Sequence, residues 1–324
     1  MCKDNTFFAN KQADASDSNH AILDKLAQLG TNPKKALLSK AKAKLFSYRL
    51  SIGLSNVDDT VLKSAYVRTF FCNKVLTVVS GKIVGSYCNG RWCSVCNRIR
   101  MAKMINGYKK PLESLIDPYF VTLTVPNCLD FELRGTIESM ISGFQSVCSV
   151  MKKRRQRGIK KYQVVGVRKL ECTVNFKTYL FHPHFHLIVE GRDAAEDLRD
   201  LWLKKFPGAN IKAQDIRPAQ AGSLLEIFKY TVKSVFKTSS GTYSTDLKAL
   251  DVIYTAMLGL RTFQPIGIER VDEDISGIIS QLFENVEDSV YEWGDFDWHN
   301  VEDGAPLTGY KPSDGMLKII NGFV

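Results

Sequence analysis

Residues 164–189 read Val164-Val165-Gly166-Val167-Arg168-Lys169-Leu170-Glu171-Cys172-Thr173-Val174-Asn175-Phe176-Lys177-Thr178-Tyr179-Leu180-Phe181-His182-Pro183-His184-Phe185-His186-Leu187-Ile188-Val189. Two stretches rich in β-branched and aromatic side chains, Val164 to Thr173 and Tyr179 to Val189, flank the turn-forming Asn175-Phe176-Lys177-Thr178, and the pattern predicts a β-hairpin. Alternation along the second strand puts His184 and His186 on one face and Phe185 and Leu187 on the other. Three of the chain's five histidines fall within five residues, so two imidazoles converge where a divalent ion fits. His182 shares their face but precedes Pro183 near the strand start, which makes it the lesser ligand. A turn about Lys177-Thr178 places Glu171 opposite His184 and makes it the third ligand candidate, the alternative being an exposed carboxylate paired with Arg168 or Lys169. Two imidazoles and a carboxylate with open positions suit Mg2+ or Mn2+ acting on a phosphate.

Outward from the hairpin, Tyr119-Phe120-Val121-Thr122-Leu123-Thr124-Val125 alternates until Pro126 and predicts a half-buried strand with Thr122 and Thr124 on one face. Ile137, Met140, Ile141, Phe144, Val147, Cys148 and Met151 follow at helical spacing. That helix ends in Lys152, Lys153, Arg154, Arg155 and Arg157 before Gly158, a basic cluster suited to a phosphate backbone. A helix from Ala194 to Phe206, a strand near Ala209 to Arg217 and a helix from Ser223 to Lys237 come next. At roughly 100° per residue, Glu226, Tyr230, Lys233 and Lys237 share one face of the last helix, opposite Leu225, Phe228, Val232 and Phe236. A tyrosine with a glutamate one turn before it and a lysine one turn after supplies nucleophile, proton acceptor and countercharge, the set that phosphodiester transfer requires. An ordinary solvated face is the plain alternative. Strands and helices alternate around an antiparallel hairpin, so the fold class is α+β.

Cys72 stands with Cys88-x4-Cys93-x2-Cys96, four cysteines in 25 residues. The Cys-x2-Cys hook favours a closed structural Zn2+ site over disulfides. The 324 residues exceed the ~250 at which single cores stop growing, so more than one unit is expected. We divide the chain into a polar, basic arm (1–65, with helical stretches at Ala21 to Leu29 and around Pro33 to Leu45), a Cys-rich zinc module (66–110), a catalytic domain (111–270) and an acidic C-terminal tail (271–324). Residues 241–324 carry 15 acidic and 5 basic side chains, so the net charge of +10 hides a net of +20 over residues 1–240. A polyanion partner belongs to that basic part. Tyr291, Trp293, Phe296 and Trp298 in the acidic stretch fit either a docking motif or a structural cap. No apolar run reaches the ~18 residues of a membrane helix and the start lacks a signal-peptide core, which makes the cytoplasm the default.

Together these residues resemble the rolling-circle replication initiators of small bacterial plasmids, within the HUH endonucleases. Phe120 to Val125 resembles the family's first motif, His184-Phe185-His186 its His-hydrophobic-His motif, and Tyr230 with Lys233 its tyrosine motif. Glu226, four residues before Tyr230, and the stretch Cys88 to Cys96 are similar to the subset that uses one tyrosine and a glutamate. The resemblance runs over roughly residues 65–270, and the acidic tail departs from it. It implies a central antiparallel sheet with flanking helices, a tyrosine helix facing the metal-bearing hairpin, and nicking of a single-stranded or hairpin DNA origin with host helicase and polymerase as partners. Transposases and conjugative relaxases share the metal motif. Two further readings differ in class: a histidine-triad nucleotide hydrolase, suggested by His182-x-His184-x-His186, and a non-catalytic zinc-stapled DNA-binding protein.

Overall fold

The computed structural model describes residues 33–80, 82–228, 236–237, 243–271 and 288–323. Its elements run α1 (Pro33–Ser55), α2 (Lys63–Phe70), β1 (Val75–Val79), β2 (Lys82–Gly85), α3 (Ser94–Glu113), β3 (Pro118–Thr124) and α4 (Leu133–Gln156). There follow β4 (Gly166–Asn175), β5 (Leu180–Glu190), α5 (Arg192–Lys205), β6 (Asp215–Pro218), α6 (Ala221–Phe228), β7 (Phe236–Lys237) and β8 (Tyr243–Ser244). The chain continues through α7 (Leu247–Ala256), β9 (Phe263–Ile266), β10 (Ser289–Trp293), β11 (Trp298–Asn300) and α8 (Asp314–Asn321). The class is α+β, and no helix of the described residues is long and apolar enough to cross a membrane.

Two compact units share these elements. One takes in Met104–Val232 and Ala256–Asp272, and its strands make a five-stranded antiparallel sheet in the order β6-β3-β5-β4-β9. The sheet depends on the predicted hairpin: β4 and β5 pair from Gly166↔Val189 to Asn175↔Leu180. Asn175 closes the loop by accepting from the Tyr179 N–H at its carbonyl (2.7 Å) and from the Lys177 N–H at its side chain (3.0 Å), while Tyr179 takes a left-handed φ of 53°. At the other end, a Cβ on Gly166 would lie 1.8 Å from the Ile188 carbonyl oxygen, so the start of β4 accepts only glycine.

Helices α4 and α5 cover one face of this sheet. Phe185 meets Phe144 at 5.7 Å and Trp202 at 5.8 Å, both edge-on, and the Trp202 indole donates to the Thr124 carbonyl at 2.9 Å. Each of these fully buried rings contributes roughly 2–3 kcal/mol. The helical periodicity read for residues 137–151 has this packing as its cause, since Ile137, Met140, Phe144, Val147 and Met151 are all buried.

The second unit gathers Leu26–Lys103, Lys233–Thr255 and Glu273–Val324. From Pro33 the segment read as an arm is a 23-residue helix that buries Ala41, Ala43, Leu45, Leu50 and Leu54, with Pro33 in the first turn where its missing N–H costs nothing. The stretch Ala21 to Leu29 lies outside the described residues. The aromatic part of the tail is a structural element: β10 and β11 extend β1 and β2 into a sheet ordered β11-β10-β1-β2. Trp298 is fully buried, packs on Trp293 at 4.7 Å and donates to the Asn73 carbonyl at 2.7 Å. Of the acidic residues among these aromatics, Glu292 and Asp295 stay at the surface, whereas Asp297 is buried and accepts from the Thr308 and Gly309 N–H groups at 2.9 and 2.7 Å.

Two expected elements are shorter than their sequence suggests. The strand anticipated from Ala209 begins at Asp215, because Asn210 caps a single turn, Ile211–Ala213, by accepting from the Lys212 N–H. The helix anticipated to Lys237 does not reach it: Phe236 and Lys237 pair with Ser244 and Tyr243 as strands. Thr231, Val232, Val235, Phe236 and Thr238 make that end rich in residues that favour strands, and Lys237 leaves the helical face assigned to it.

Candidate functional site

The central strand β5 carries the histidines. Its neighbours place Thr122 and Lys169 opposite His186, and Thr124 and Glu171 opposite His184, so all six side chains rise on the face away from α4 and α5. Glu171 Oε2 lies 3.8 Å from His184 Nε2 and 3.8 Å from His186 Nε2. One donor atom from each of the three residues falls within 4.8 Å of the others, the dimensions of a cation site.

The remaining ring nitrogens are already engaged. His184 Nδ1 is 3.0 Å from the His182 carbonyl, a contact that requires Nδ1 to carry a proton and turns Nε2 towards Glu171. His186 Nδ1 is 3.2 Å from the Thr122 hydroxyl, which orients that ring in turn. Burial, reinforced by His184, pushes the His186 pKa down to about 4, so this imidazole is neutral at physiological pH, as ligation requires. Burial alone would raise the Glu171 carboxyl, but the contact with His184 and the Lys169 ammonium hold it below its usual value. Donor types, protonation and spacing therefore fit a divalent ion. His182 turns aside to Asn127 Oδ1 at 2.7 Å and stays outside the cluster.

Of the tyrosine-helix residues, Glu226 lies on α6 in this unit, and its backbone carbonyl accepts from Lys169 Nζ at 2.8 Å on the histidine face. Tyr230 and Lys233 lie outside the described residues. Lys152, Lys153, Arg155 and Arg157 are exposed at the end of α4, on the helix layer behind the sheet, whereas Arg154 is pinned to Asp197 at 3.0 Å. Thr122 and Lys169 join the site beyond the residues first singled out. The alternation of β3 already put Thr122 on a polar face, but only pairing with β5 revealed what it touches.

In the other unit, Cys72, Cys88, Cys93 and Cys96 converge. Their sulfurs stand 3.6 Å (Cys72 to Cys96) and 3.7 Å (Cys88 to Cys96, Cys93 to Cys72) apart. That is far beyond a disulfide bond and close to the ~3.8 Å edge of a tetrahedron with metal–sulfur bonds of ~2.3 Å. The backbone N–H groups of Cys88 and Gly90 point at Cys72 and Cys88 Sγ (3.5 and 3.4 Å), as donors to thiolates do. Lys40 and Lys44 lie close by. Burial lowers both to a pKa of about 8, and the Cys72 sulfur opposes that shift, the arrangement expected where cations offset thiolate charge.

A family model described as replication protein matches residues 82–191, which hold three of these four cysteines, β3 and the whole β4–β5 hairpin. A Staphylococcus aureus protein named Protein rep is 29% identical over 50% of this chain and 79% of its own length. Proteins of the same name from Bacillus sp. and Bacillus amyloliquefaciens are each 31% identical, over 45% and 32% of this chain and 57% and 30% of their own lengths. No solved structure matches significantly.

Proposed function

We propose that this chain, whose residues 82–191 match a replication-protein family and which is similar to proteins named Protein rep, is a plasmid rolling-circle replication initiator and a tyrosine-nucleophile endonuclease of the HUH kind. It nicks single-stranded origin DNA in the cytoplasm to start replication. The observation that carries this reading is the convergence of Glu171, His184 and His186 on the central strand pair, with the helix of Glu226 on the same face.

Glu171, His184 and His186 would hold Mg2+ or Mn2+, which supplies polarisation of the non-bridging oxygens of the scissile phosphate. Tyr230 attacks the phosphorus and gives up its phenolic proton. The bond to the 3′ oxygen breaks, leaving a 5′-phosphotyrosine, and the departing 3′ oxygen takes up a proton to become the 3′-hydroxyl that primes a host polymerase while a host helicase unwinds the duplex. Lys233 offsets charge on the phosphate. When the site is regenerated, Glu226 takes a proton from water, so the next cleavage ends in hydrolysis instead of a second covalent link. Lys152, Lys153, Arg154, Arg155 and Arg157 give the backbone contacts, with Arg154 constrained by Asp197. Zn2+ on Cys72, Cys88, Cys93 and Cys96 has a structural part only, since four thiolates leave no open position.

The test is incubation with single-stranded origin DNA and Mn2+. A protein–DNA adduct that survives denaturation, forms with wild type and fails with Tyr230→Phe is the expected result. Nicking without an adduct, or an adduct formed by Tyr230→Phe, overturns the reading.

A further inference from the structure

Lys169 is a charged side chain in the middle of a sheet, only 3% exposed, on the face that carries the histidines. A lysine buried this deeply is strongly unfavourable unless its ammonium finds oxygen partners. Two of its partners lie on different elements: Glu171 Oε1 on β4, an ion pair at 2.5 Å, and the Glu226 carbonyl on α6, a hydrogen bond at 2.8 Å. Glu171 therefore has one oxygen tied to Lys169 and the other, Oε2, facing both imidazoles at 3.8 Å.

We propose that Lys169 is a positioning residue that locks the metal-facing carboxylate and the Glu226 helix into one geometry, so that a ligated cation and the groups on that helix meet the same phosphate. The proposal rests on the function given above. Two consequences follow from the contacts. Holding Oε1 makes Glu171 a one-oxygen ligand, and the ammonium cancels its charge, which lowers cation affinity while leaving the cation more polarising. Holding the Glu226 carbonyl fixes the height of α6 over the sheet. Displacement by about 1 Å at a reacting centre costs on the order of 100-fold in rate. A lysine that served packing alone would couple neither quantity to the other.

The test uses the full-length protein and Lys169→Met, which keeps the volume and removes charge and donors. Mn2+ binding by titration calorimetry is expected to be unchanged or tighter, kcat for origin nicking to fall by about 100-fold with KM for DNA unchanged, and Lys169→Arg to recover part of the rate. Amide hydrogen exchange in residues 221–228 should quicken in Lys169→Met while β5 stays protected. Wild-type kcat in Lys169→Met, loss of Mn2+ binding in step with nicking, or unchanged exchange in 221–228 overturns the proposal. Should Lys169→Met fail to fold, Lys169→Gln is read by the same criteria. The exchange measurement needs no cleavage, so a wild-type protein that neither binds Mn2+ nor nicks would sink the proposed function and leave the tether separately decided.

Discussion

Glu171 and His184 stand directly opposite one another on paired strands, with Oε2 3.8 Å from Nε2. His186 brings its own Nε2 to the same oxygen at the same distance, so a cation held there depends on both rings. Replacing His184 and His186 together by alanine is expected to abolish Mn2+ binding and nicking. Duplex binding should stay within about 3-fold, because affinity comes from basic residues spread over the chain. Chelation should reproduce the mutant. Nicking by the double mutant in excess chelator would remove the cation from the mechanism.

Acid should destabilise the metal-free protein through His186. Its folded pKa is about 4, whereas an unfolded histidine titrates near ~6.5. Between those values the unfolded chain binds more protons, so the contribution is fully present above ~6.5 and is lost as pH falls towards 4. Urea midpoints in chelator should decline over that window more steeply for wild type than for His186→Gln. Parallel declines would mean that other groups carry the acid sensitivity.

Glu226→Ala should leave the first nick near its normal rate and impair hydrolytic termination, since only the second step needs activated water. The covalent adduct then persists. The backbone bond from Lys169 survives this substitution, because it uses the carbonyl and not the side chain. Equal loss of both steps would assign Glu226 to folding or general electrostatics.

The four-thiolate cluster should bind one zinc that chelators remove far more slowly than the ion at the histidines. Cys93, fully buried in that cluster, is the position to change. Cys93→Ser should lose zinc by elemental analysis and lower the melting temperature by several degrees. Wild-type protein free of zinc, or a serine variant that keeps both metal and stability, would refute the assignment.

Arg168 is 1% exposed on the helix side of the sheet, and burial pushes its pKa down to about 10. Its guanidinium lies over Phe185 (4.5 Å) and Phe144 (5.4 Å) and donates to the Arg261 carbonyl at 3.2 Å, while Nε and Nη1 have no hydrogen-bond partner among the described residues. Stacking worth ~0.5–2 kcal/mol does not exceed the cost of an incompletely partnered buried charge. Arg168→Met should therefore change stability by less than ~1 kcal/mol or increase it. A loss above ~2 kcal/mol in denaturant titrations would show that the charge has a stabilising role in the core.

The hairpin and its face were legible in the sequence because their causes are local. Alternation sets which side His184 and His186 take, and a short turn at Asn175 sets the register that brings Glu171 opposite His184. The apolar stripe of α4 was legible for the same reason, one face being buried along its whole length. Tertiary structure alone decided that β3 pairs with β5 and so turns Thr122 towards His186, and that Lys169 reaches across to α6. It decided, too, that β10 joins β1 although more than 200 residues separate them, converting an acidic tail into a sheet edge. Strand pairing is chosen by which apolar faces can be buried together, and ammonium partners by where a desolvated charge finds oxygen. Both depend on the three-dimensional neighbours of a residue, whereas periodicity records only which of its own faces is apolar.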